Sequence, residues 1–229
     1  MTILCIETST SVCSAALCVD GVAVEQLISM EGGNHAQLLP RYIDQLLRGK
    51  QQLLKAVAVS EGPGSYTGLR IGASMAKGLS YGRQIPLIPI PTLQVLAVSA
   101  IESITSPLSP SQPLLCPMLD ARRMEVYTAL YDSRLTLQRA VEARVVENRQ
   151  WLEETNRPVY FFGDGAAKCQ TILEDEQIHF IPDIVPQAAY MGRLAEQLLA
   201  EDRQADVAYW QPFYLKEFEA AQSHVKGLV

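Results

Sequence analysis

The chain has 229 residues, enough to bury a sizeable core as one large domain or two small ones. Its 48% apolar and 19% charged residues describe a folded globular protein and exclude a disordered one. Lys and Arg number 19 against 25 Asp and Glu, and the net charge of −6 argues against a protein that grips nucleic acid alone through a broad basic face.

The opening stretch, MTILCIETSTS, has no basic segment followed by a long apolar run. No signal peptide is therefore expected, no run is long enough to span a bilayer, and the expected location is the cytoplasm. Ile3 to Ile6 reads as a short buried strand. CSAALCV (Cys13 to Val19) and VAVEQLI flank Asp20-Gly21, a pair that favours positive φ and predicts a hairpin, so the chain opens with a three-stranded meander. The five cysteines, Cys5, Cys13, Cys18, Cys116 and Cys169, form no C-x-x-C pair and read as buried reduced thiols.

Asn34 is the expected N-cap of a helix reaching about Arg48, with Pro40 setting its start or a kink. Leu38, Leu39, Tyr42, Ile43, Leu46 and Leu47 cover about 180° of it, more than one sheet contact requires. LLKAVAVS reads as a buried strand, and the loop SEGPGSYTGLRIG (Ser60 to Gly72) follows. That loop lacks the Lys of the phosphate-binding G-x-x-x-x-G-K-[ST] loop. It also misses the dinucleotide pattern G-x-G-x-x-G, because after Gly62 and Gly64 the next glycine is Gly68, one residue late.

The loop launches a helix over about Thr67 to Tyr81. Its polar positions Arg70, Ser74, Lys77 and Tyr81 share a sector of about 60°. Gly68, Gly72 and Ala76 recur every fourth residue beside Leu69, Ala73 and Ser80, while Ile71, Met75 and Leu79 widen the apolar surface. Such a helix is buried on more than one side. Its second neighbour is either another helix of this chain or a partner, and composition leaves both open. IPLIPIP gives a strand, and a helix over Thr92 to Ile104 follows.

TSPLSPSQP (Thr105 to Pro113) marks a domain junction. Then the pattern restarts: LLCPMLDA, MEVYTALYD and LTLQRAVEAR form a second meander, VYFFGDG a strand and turn, with helices expected from about Ala166 and after Pro186. The shared order of the halves predicts two related α/β lobes.

ILCIETSTSVCSAAL, HAQLLP, AVAVSEGPGSYTGLRIGASMAKGL and LDARRMEVY resemble the TsaB (YeaZ) family of bacterial tRNA threonylcarbamoyladenosine biosynthesis. The likeness is strong over Met1 to Pro91, clear at Leu119 to Tyr127 and weak towards the C-terminus. It implies a two-lobed actin-like or sugar-kinase-like ATPase fold, each lobe a ribonuclease-H-like mixed sheet with helices. The expected lobes are residues 1–106 and 107–229, with the C-terminal segment packing across them.

The resemblance also implies a role: a non-catalytic scaffold that pairs with a TsaD-like catalytic paralogue, which modifies the tRNA adenosine beside the anticodon. A TsaE-like ATPase and TsaC (or its relative Sua5) complete the pathway, and tRNA is met through the complex. The implied partner interface comprises His35, Leu38, Leu39, Tyr42, Leu46, Gly68, Leu69, Gly72, Ala73, Ala76 and Ser80, and the same face would form a homodimer when the chain is alone.

The alternative is an independent nucleotide-dependent enzyme of the actin-like class. In that fold phosphates lie at the turn after the first strand, here Glu7, Thr8, Ser9 and Thr10, and at a turn of the second lobe, here Gly163, Asp164 and Gly165. The first turn lacks a glycine for close backbone approach, so the expectation is no required cofactor, with weak or vestigial ATP or ADP binding left open. No catalytic residue and no metal are expected. The catalytic paralogue's H-x-x-x-H is broken here, since Leu39 stands four positions after His35, and neither G-x-S-x-G nor H-E-x-x-H supports a peptidase. Asp120, Arg122, Arg123 and Glu125 form a charged cluster that either braces a turn or contacts partner or tRNA. The aromatic segment YWQPFYLKEF (Tyr209 to Phe218) is expected to pack across the lobes.

Overall fold

Asp20 and Gly21 both adopt positive φ, 49° and 75°, and close the expected hairpin. A computed structural model describes residues 1–104, 113–148, 155, 157–173 and 176–216. Strands β1 (Thr2–Glu7), β2 (Cys13–Val19) and β3 (Val22–Ser29) form an antiparallel meander, and β4 (Ala56–Gly62) and β5 (Leu87–Pro91) join in parallel. The sheet order is β3-β2-β1-β4-β5. Helices α1 (His35–Leu47), α2 (Tyr66–Arg83) and α3 (Thr92–Ser103) complete this half.

Strands β6 (Leu114–Asp120), β7 (Glu125–Asp132), β8 (Leu137–Val145), β9 (Val159–Phe162) and β10 (Ile178–Ile181) build a second sheet in the order β10-β9-β6-β7-β8. Read from its far edge, that is the order of the first sheet, with the same antiparallel meander and the same two parallel additions. The molecule is a two-lobed α/β fold of two matching mixed sheets. The Pro- and Ser-rich junction lies mostly outside the described residues.

The first sheet is apolar on both faces because both are covered, as expected where parallel strands sit inside. Leu4, Ile6, Val57 and Val59 meet Leu39, Ile43, Leu46 and Ala76 of α1 and α2. Ile3, Cys5, Ala58, Ile88 and Ile90 meet Val95 of α3 and Leu194 and Ala195 of α4 (Gly192–Ala200). Each such Leu or Ile contributes about 1.5–3 kcal/mol on burial. Helix α3 is shared: Leu93, Leu96, Ala97 and Ala100 also pack with Leu115, Leu119 and Phe162 of the second sheet. All five cysteines are buried and unbridged.

The helix expected from Ala166 is instead one 3-10 turn, Ala167–Cys169. Cys169 and Leu173 still reach the core, one helical step apart, with the Leu173 N–H donating to the Cys169 carbonyl at 3.0 Å. Continuation is limited because the chain must return at once to lay β10 beside β9. Strand β10 escaped the sequence pattern, being four residues long and interrupted by His179. No helix among the described residues is long and apolar enough to cross a membrane.

Candidate docking face on helices α1 and α2

The glycine loop brings two backbones together. A Cβ on Gly68 would lie 2.0 Å from the Thr8 carbonyl oxygen, and one on Gly72 would lie 2.4 Å from Thr8 Oγ1. The turn after β1 is thus pressed against the first turns of α2. Thr8 Oγ1 donates to the Gly68 carbonyl at 2.8 Å, and the Ser65 N–H donates to the Ser9 carbonyl at 2.6 Å. Ser65 caps the helix, its Oγ accepting from the Gly68 N–H at 3.3 Å.

The turn after β1, considered above as a phosphate contact, packs beneath the start of α2. Glu7, Thr8 and Ser9 are all buried. Glu7 Oε1 accepts from the Ser9 N–H at 2.6 Å, whereas Glu7 Oε2 and Ser9 Oγ have no hydrogen-bond partner among the described residues. Burial pushes the Glu7 carboxyl above its ordinary range, and hydrogen bonds from Ser9 and Thr8 oppose that push. Thr10 Oγ1 accepts from the Val12 N–H at 3.2 Å. At the second turn, Cβ atoms on Gly163 and Gly165 would lie 2.3 Å from the Met118 carbonyl oxygen and 2.9 Å from the Leu119 carbonyl carbon, so both glycines serve close backbone packing, while Asp164 between them is exposed. Asp164 Oδ1 accepts from the Asp120 N–H at 2.9 Å.

The expected contact residues divide by side. His35, Leu39, Leu46, Gly68, Leu69, Gly72, Ala73, Ala76 and Ser80 are buried within this chain. In the chain by itself the widest apolar faces of α1 and α2 turn towards the sheet, the β1–β2 turn and each other. His35 pins α1 to that turn, its Nε2 donating to the carbonyls of Thr10 (3.0 Å) and Val12 (3.2 Å). Leu38 and Tyr42 are half-buried and keep part of their surface.

What the helices leave outward is a groove of about 790 Å³ lined by Ala36, Pro40, Tyr66, Thr67, Arg70, Ile71, Ser74 and Met75. The Arg70 guanidinium lies 4.2 Å from the Tyr66 ring centroid, and that ring packs tilted by 46° against Tyr214, with centroids 4.8 Å apart. Sequence reasoning had placed Ile71 and Met75 on the helix's apolar flank, but it missed Ala36, Pro40 and Tyr66. Their signal is present only once the sheet side of each helix is known. Among the described residues no three His, Cys, Asp or Glu side chains converge as a metal site.

Residues 29–223 match the family model described as TsaD, tRNA N6-adenosine threonylcarbamoyltransferase. The chain is 32% identical over 236 residues to the tRNA threonylcarbamoyladenosine biosynthesis protein TsaB of Bacillus subtilis, covering all of this chain and 92% of the relative. It is 27% identical over 232 residues to the Escherichia coli protein of the same name, covering 94% and 95%. A Pseudomonas aeruginosa crystal structure, titled as an uncharacterized protein with similarity to peptidase YEAZ, superposes with a TM-score of 0.80 at 24% identity over 94% of this chain and 99% of that one. At that identity the structural likeness speaks for the fold alone.

Proposed function

From the premise that this chain belongs to the TsaB (YeaZ) family of tRNA threonylcarbamoyladenosine biosynthesis proteins, we propose that it serves that pathway as a non-catalytic scaffold, docking a TsaD-like transferase on the groove between α1 and α2. The groove carries this reading. Its floor is apolar, with Ala36, Pro40, Ile71 and Met75, and Arg70 and Thr67 supply polar groups beside it. An apolar centre with a polar surround is the usual anatomy of a protein interface. Small side chains at Ala36 and Ser74 let partner helices come close.

The buried strand-end turn supports a role that needs no bound nucleotide, since Thr8 and Ser9 lie under α2. When the chain is alone, the same groove would take a second copy. The TsaE-like ATPase and TsaC (or Sua5) are the remaining components of the proposed pathway, and tRNA is reached through the assembly.

The test is size exclusion with light scattering, on the chain alone and mixed with the TsaD-like protein of the same organism. Ser74→Arg places a charge in the groove at an exposed position. It is expected to weaken pairing at least ten-fold while leaving the thermal midpoint unchanged. Normal pairing by Ser74→Arg would overturn the groove assignment. Steady ATP turnover by the pure chain would overturn the non-catalytic reading.

A further inference from the structure

The tip of the β6–β7 hairpin is built from residues that a turn does not select. Arg122 and Arg123 follow one another there, both exposed, with φ of 71° and 51°. Left-handed backbone is disfavoured for side chains bearing a Cβ, and Asn and Gly are the usual occupants. The turn is nonetheless well closed. The Glu125 N–H donates to the Arg122 carbonyl, and the Ala121 N–H to the Glu125 carbonyl, both at 3.1 Å.

The carboxylates around the tip do the holding. Asp120 Oδ1 accepts from the Arg122 N–H at 3.0 Å and pairs with Lys168. Lys168 Nζ also donates to the Glu125 carbonyl at 2.7 Å, the Glu125 carboxylate pairs with Lys216, and Asp164 holds the Asp120 N–H. Asp120, Glu125 and Asp164 are therefore engaged by lysines and backbone. Neither the Arg122 nor the Arg123 guanidinium makes a hydrogen bond or ion pair among the described residues. On a chain of net charge −6, this tip is a local positive spot.

We propose that the Arg122–Arg123 tip is a phosphate contact for an RNA backbone, that of the tRNA carried by the assembly. This rests on the tRNA-modification role proposed above. Guanidinium is planar, permanently charged and matched to two phosphate oxygens at once, and the acid–lysine frame beneath keeps both guanidiniums from being neutralised within the chain. Turn formation alone does not explain the two arginines, because Asn or Gly would serve the left-handed backbone better. Their contribution is to electrostatic positioning of the nucleic acid, independent of base sequence.

The decisive experiment uses the full chain assembled with its TsaD-like and TsaE-like partners, and measures tRNA binding by anisotropy across a salt series. Arg122→Asn with Arg123→Gly removes both charges and installs the residues the turn prefers. This variant should fold with an equal or higher thermal midpoint and assemble normally. Its tRNA affinity should fall about ten-fold, and the slope of log affinity against log salt should drop by about one to two. The Arg122→Lys/Arg123→Lys variant should keep most of that slope.

Unchanged affinity and slope in the Asn–Gly variant would overturn the proposal. So would an equal loss in the control Arg48→Gln/Arg203→Gln, which removes two exposed cations elsewhere. Loss of partner assembly in the Asn–Gly variant would identify the tip as a contact for an acidic protein surface instead. A wild-type chain that never assembles with the transferase would overturn the scaffold role, and this contact with it.

Discussion

Gly68 has no room for a methyl group beside the Thr8 carbonyl, whereas a Cβ on Gly78 of the same helix meets nothing within 4 Å. Gly68→Ala should therefore cost about 1–3 kcal/mol by overpacking against backbone. Gly78→Ala should stabilise by about 0.5–1 kcal/mol through helix propensity. Denaturant midpoints of the two variants check both signs. The sequence places Gly68 in the small-residue stripe and Gly78 outside it, and the turn that packs on Gly68 gives that difference its physical cause.

Glu7 yields a second residue-scale expectation. Burial raises its carboxyl above the ordinary value of 4.5, so the native state holds the proton more tightly than the unfolded chain does. Its contribution to stability is full below that value and is lost as pH rises through the folded pKa. Glu7→Gln should thus be more stable than the wild type at neutral pH, with the gap closing as pH falls towards 4.5. Thermal midpoints between pH 4 and 8 measure it. A gap that widens on acidification would show that the ionised form is the one stabilised.

At the scale of elements, α1 and α2 show what a periodic pattern leaves open. The pattern marks wide apolar surfaces on both helices, and the structure buries one broad sector of each. It does not say which apolar stripe faces the sheet. Leu69 is 1% exposed, so Leu69→Arg should unfold the protein rather than report on an interface; far-UV circular dichroism would show the loss. Ser74→Arg, one turn further along, leaves the core untouched and reads the groove instead. The antiparallel meanders were legible because Asp20-Gly21 and alternating apolar runs are local signals. The 3-10 turn after β9 was not, because its arrest depends on β10 pairing with β9.

For the whole molecule, the C-terminal segment joins the lobes by returning across the first one. Ala205 pairs with Leu87, Trp210 packs on the α1–α2 side of the core, and the Phe213 N–H donates to the Glu61 carbonyl at 2.7 Å. Lys77 Nζ donates to the carbonyls of Ala208 (3.3 Å) and Trp210 (2.8 Å), and Lys216 reaches Glu125 in the second lobe. Lys77→Met should cost about 1 kcal/mol and speed hydrogen exchange in residues 205–214 before the rest of the chain, a difference exchange mass spectrometry resolves. The sequence by itself determined the family, through the resemblance carried by motifs such as GPGSYTGLRIG, and it determined the two-lobed plan and most strands because turn chemistry and apolar period act over a few neighbouring residues. Only the tertiary structure decided that Thr8 and Ser9 lie beneath α2, that the widest helix faces belong to the core, and that Ala36, Pro40 and Tyr66 line the outward groove. Each of those depends on contacts between segments far apart in the chain, where the same apolar residue serves equally well inside a core or against a partner.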